Sequence, residues 1–210
     1  MSSVGIDIGG RRKGFHAAAV EGQNVIAGPQ QLTDVNTVVA WLREINPKVI
    51  ALDSPMTCAP SGASSREGER ELMKEICGIR FTPEESKLAG NPYYEWIICG
   101  RELYDALERE RGRRGWEVIE VFPTASWTVW VGRRGKVSRA RWTRQALDSI
   151  GMGGLPSRRL NQDDRDAIAA ALTARLHAEG RTEDKAYGEI VVPERHDLDD
   201  VRRRASGPSA

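Results

Sequence analysis

The run "VGIDIGG" at residues 4–10 constrains this chain more than any other stretch. An apolar segment this short, closed by two glycines, reads as a strand buried on both faces. Yet an acid, Asp7, stands between two isoleucines. "KVIALDSP" repeats the pattern, with an apolar run ending at Asp53 and a turn at Pro55. A buried carboxylate is costly unless it is paired, neutral or bound to a metal. In open α/β sheets, ligands collect beyond the carboxyl ends of parallel strands. If these two strands are neighbours, their carboxylates lie side by side.

The remaining segments fill in such a sheet. "GFHAAAV" and "NVIAGP" read as strands joined by a hairpin turn at "EGQN". "TDVNTVVAWLREINP" has Val35, Val38, Val39, Leu42 and Ile45 at helical spacing, with Thr33 or Asp34 as cap and Pro47 as stop. Residues 54–116 form a long insert. Its "REGERELMKEIC" and "YYEWIICGRELYDALERER" read as helices, and "TPEES" as a helix start with Pro at the first position. "WEVIEVFP" is the next buried strand, "RARWTRQALDSIG" a helix, "MGGLPSRRLN" a loop and "QDDRDAIAAALTAR" the start of an alanine-rich helix. "YGEIVVPE" closes as a strand or extended segment. The expected fold is α/β, a mixed five-stranded sheet flanked by helices, in one domain over residues 1–194. The insert falls between strands four and five, and a polar tail covers 195–210.

Composition narrows the function. The chain has 210 residues, 40% hydrophobic and 29% charged, enough for a packed core. A net charge of +1 supplies no global field for a polyanion, so any nucleic-acid contact must be local. The three cysteines match neither a disulfide framework nor a zinc motif, which makes a reduced, cytoplasmic setting the default. No apolar run approaches the ~20 residues of a membrane span, so no membrane partner is expected.

Asp163 and Asp166 are three apart and share a helix face, whereas Asp164 points elsewhere. Ala167, Ala169, Ala170 and Ala171 let that helix lie close against a sheet, bringing its first turn toward Asp7 and Asp53. Several of these acids also have a structural explanation, a helix cap for Asp163 or Asp164, a turn for Asp53, a buried arginine partner for Glu120 in "VIEVFP", whereas Asp7 between isoleucines is harder to explain as structure. One shared site accounts for all of them. Hard oxygen donors select Mg²⁺ or Mn²⁺, and clustered carboxylates can hold two ions that drive phosphodiester hydrolysis. His16, His177 and His196 are scattered and read as surface or packing residues.

In order and spacing, "GIDIGG", "IALDSP", "SSREGERELM", "GIRFTP", "VIEVFP", "DDRDAIAAALTA" and "GEIVVPE" resemble domain-of-unknown-function family 429. These are predicted nucleases of ribonuclease-H-like fold, near the Holliday-junction-resolvase branch. The resemblance runs from residue 4 to about 194. It implies that Asp7, Asp53, Asp163 and Asp166 bind metal, that Glu120 belongs to the catalytic group, and that Arg66 faces substrate. Arg11 and Lys13, in the basic "GRRK" turn, are the further expected substrate contacts. The implied partner is nucleic acid, DNA or RNA, and resolvase-like relatives often act as homodimers.

Two other classes share these features. Sugar kinases open with a similar strand, Asp and Gly-rich turn that cradles ATP phosphate, although Arg11 stands where they usually have Thr or Ser. A non-catalytic nucleic-acid-binding domain would use the basic clusters at 10–13, 111–114, 132–144 and 156–159. Trp127, Trp130 and Trp142 within or beside the third could stack on bases, or could be core.

Overall fold

The computed structural model describes residues 1–183 and 186–194, and the expected polar tail and His196 lie outside them. Three strands open the chain: β1 (Ser3–Ile8), β2 (Phe15–Glu21) and β3 (Asn24–Leu32). Next come α1 (Val35–Ile45) and β4 (Val49–Asp53). α2 (Glu67–Glu75) and α3 (Glu95–Arg114) lie between β4 and β5 (Glu117–Val121). The chain continues through α4 (Pro123–Val131), α5 (Arg139–Ile150), α6 (Gln162–Ala178), β6 (Thr182–Glu183) and β7 (Ile190–Pro193).

The sheet order is β3-β2-β1-β4-β5-β7-β6. β1 pairs antiparallel with β2 and parallel with β4, and β4 pairs parallel with β5. The first five strands are thus the mixed sheet expected of a ribonuclease-H-like core. β7 and the short β6 extend it to seven, a correction to the expected five.

Strand alternation assigns the two faces. Val4, Ile6 and Ile8 of β1 and Ile50 and Leu52 of β4 pack with α1 and α3. The opposite face, with Val49 and Ala51, packs under α6. Gly5 is the closest approach, because a Cβ there would overlap the backbone of Ala167 and Ala171. Ala167, Ala169, Ala170 and Ala171 are fully buried, as their small size leads one to expect. None of the described helices is long and apolar enough to cross a membrane.

One segment departs from the sequence reading, and another is unassigned in it. "TPEES" starts no α-helix and holds only a 3-10 turn at Glu85–Lys87. The Thr82 N–H and hydroxyl, the expected cap, both go to the buried Glu69 carboxylate. Conversely, α4 is a helix despite its β-branched residues. Pro123 opens it, and Trp127 and Trp130 fall three apart on its buried side, ring edge to ring face at 5.4 Å. With Trp142 they belong to the core under α6, so none of the three is free to stack on a base.

Candidate metal centre

Asp7 and Asp53 lie opposite each other on adjacent parallel strands. Both alternate onto the α6 face. α6 enters there, its first turn held by a capping box in which Asn161 and Asp164 exchange side-chain and backbone hydrogen bonds. Asp163 and Asp166 then project toward the strand ends. All four aspartates line one cavity of about 560 Å³. The acids expected to converge from three separate elements therefore do so, on one side of the sheet.

Their charges interact strongly. Burial, then the charges of Asp166 and Asp163, push the Asp7 pKa up to about 7, with Lys13 and Arg139 opposing. Burial raises Asp53 well above the carboxylate range, and Asp7 and Asp166 add to it. Burial also raises Asp166, against the pull of Arg139, Gln162 and Trp127. The strand pair therefore resists double ionisation.

The cations nearby attend mainly to the helix-borne acids. Lys13 Nζ is 2.7 Å from Asp163 Oδ1 and 4.0 Å from Asp7 Oδ2. Arg139 donates to Asp166 Oδ2 at 2.9 Å, while the Trp127 indole N–H donates to Oδ1 at 3.0 Å. The Gln162 amide reaches both Asp166 oxygens. His16 sits opposite Asp7 across the hairpin. Its Nδ1 is 3.0 Å from Asp164 Oδ1 and its Nε2 is 3.8 Å from Asp163 Oδ2. Asp164 faces His16 and Arg158 rather than the strand acids.

Of the other expected site residues, Lys13, Glu120 and Arg66 line the same cavity, Glu120 and Arg66 from the other face of the sheet, and Arg11 does not. Glu120 is level with Leu52, so alternation sends it to the opposite face from Asp53. There Arg66 forks onto both its oxygens, and the Met56 N–H donates at 2.7 Å. Arg66 is buried and also pairs with Glu69 and Glu189. Glu120 thus has the buried arginine partner of its structural explanation, and that guanidinium is already engaged by carboxylates. Arg11 points away, pairing with Glu102 at 2.6 Å.

His16, Arg139, Gln162 and Trp127 were missed from the sequence. A hairpin turning at residues 10–13 places His16 beside Asp7, so counting back from the turn finds it. Arg139 carries no signal beyond membership of a basic stretch.

The donor set suits a hard divalent cation: carboxylate oxygens, a facing pair that resists double ionisation, and no thiolate. Among the described residues, no three acid, histidine or cysteine side chains already surround a point at ligating distance.

The fold and site together define an α/β domain with an acid-floored cleft at the carboxyl end of its central strands. No family model matches the chain. No curated protein matches it. Among solved structures, the chain is similar to Thermus thermophilus RuvC, with 17% identity and a TM-score of 0.46, over 86% of this chain and 97% of that one.

Proposed function

We propose that this protein is a divalent-metal-dependent nuclease that hydrolyses phosphodiester bonds, as its resemblance to domain-of-unknown-function family 429 also implies. The observation that supports this reading is the meeting of Asp7, Asp53, Asp163 and Asp166, drawn from two strands and a helix, around one cavity. Asp7 and Asp53 would hold Mg²⁺ or Mn²⁺, and Asp163 and Asp166 would complete the set. Two such ions, when bound, supply an acidified water and neutralise charge on the leaving oxygen.

The chain's own residues prepare the rest. Lys13 and Arg139 stand at the rim of the acid cluster, where a phosphate can take them over from Asp163 and Asp166. Trp127 and Gln162 hold the Asp166 carboxylate in one orientation. His16 and Arg158 keep Asp164 turned aside. Arg66 and Glu120 tie the insert to β5 along the cavity wall.

The kinase reading fits less well. In the Gly-rich turn, the Arg11 N–H donates to Glu95 at 3.0 Å and the Gly9 N–H to the Gly14 carbonyl at 2.9 Å. A phosphate cradle there would have to displace a carboxylate. The test is cleavage of single- and double-stranded DNA and RNA in Mg²⁺ or Mn²⁺. Cleavage abolished by chelator and by Asp7→Asn is expected. ATP turnover with no strand cleavage would favour the kinase instead.

A further inference from the structure

Resting on the nuclease reading only for where the phosphate lies, we infer that the insert between β4 and β5 is a base-binding wall that selects unpaired nucleic acid. The cavity has two sides of different chemistry. Its floor is the aspartate cluster. Its insert side carries Arg80 and Trp96. Of the six tryptophans in the sequence, Trp96 alone is not buried. Arg80 is exposed and lies over the Tyr93 ring, its guanidinium carbon 5.6 Å from the ring centroid. Tyr93 is 56% exposed and the neighbouring Phe81 37%. An insert that only shielded the core would turn these rings inward, as α4 does with Trp127 and Trp130.

Arginine with exposed aromatic faces is the combination that grips a single strand, because bases stack on the rings while the cation meets phosphate. Arg134, from the α4–α5 connection, lines the same cavity. Among the described residues its Nη1 donates to the Val137 carbonyl alone, in an exposed bond, so it too can meet phosphate. At about 560 Å³ the cavity is in the size range of small-ligand sites, with room for about one nucleotide. A base stacked inside a duplex keeps its faces covered and cannot offer one to Trp96, whereas a splayed base can.

The test is binding of one sequence, as a single strand and as its duplex, to the Asp7→Asn protein at fixed low salt, read by fluorescence anisotropy. The single strand should bind at least about tenfold more tightly than the duplex. Trp96→Ala and Arg80→Ala should each weaken single-strand binding about fivefold or more, leaving duplex binding unchanged and circular dichroism native. Arg80 is a surface residue, so that variant keeps the test open if Trp96→Ala fails to fold. Equal affinity for the duplex, or no effect of either substitution, overturns the inference. Strand-selective binding in a wild-type protein that cleaves nothing in Mg²⁺ or Mn²⁺ would remove the nuclease reading and leave the base wall standing.

Discussion

Asp7 and Asp53 face each other in register across two parallel strands, at the end of the sheet where α6 delivers Asp163 and Asp166. Two carboxylates so placed repel each other when both are ionised.

Metal-free stability should fall as pH rises through neutrality. The folded-state pKa of Asp7, about 7, lies above its unfolded value. The bound proton therefore stabilises the fold fully below the unfolded pKa of ~3.9, and that contribution is lost as pH rises through the folded pKa. Denaturant titrations should find the protein roughly 2–4 kcal/mol less stable at about pH 8 than at about pH 5. Asp7→Asn should flatten the difference, and an undiminished slope in that variant would place its origin elsewhere.

Added Mg²⁺ or Mn²⁺ should raise the melting temperature at alkaline pH, because a ligand that binds only the folded state stabilises it by mass action. Asp53→Asn should abolish that shift and reduce cleavage by more than the roughly 100-fold typical of losing an outer partner of a metal site. The same variant without metal should be no less stable than wild type, since it removes a repelling charge. Calorimetry with and without metal reads both effects.

Gly5→Ala should separate the helix from the sheet. The added methyl would overlap the backbone of Ala167 and Ala171. Overpacking of this kind costs roughly 1–3 kcal/mol or more. Because the displaced helix carries Asp163 and Asp166, Mn²⁺ affinity should fall together with stability. Loss of stability at unchanged affinity would mean that α6 can shift without moving its first turn.

Arg66→Met should cost about 3–5 kcal/mol, because it leaves the buried Glu120 and Glu69 carboxylates unpaired. Glu120→Gln should cost less, since an amide can still accept from Arg66 and from the Met56 N–H. If Arg66 instead contacted substrate, its loss would lower nucleic-acid affinity at unchanged stability, and thermal melts beside binding curves separate the two roles.

The sequence by itself determined the elements that local pattern dictates. Helical spacing from Val35 to Ile45, apolar runs around Asp7 and Asp53, and the alanines after Asp166 are properties of neighbouring residues, and each appears where the pattern puts it. The alanines also foretold the close approach that unites the four aspartates, because side-chain size sets how near a helix can lie to a sheet. Only the tertiary structure decided the place of Glu120. Its face depends on the register of β5 against β4, and a shift of one residue would have turned it toward Asp53. Register is set by strands far apart in the chain. The same holds for the pairing of Arg66 with Glu120, the pairing of Lys13 and Arg139 with the helix acids, and the capture of Thr82 by Glu69. Each is a contact between residues distant in sequence, and no periodicity along the chain encodes it.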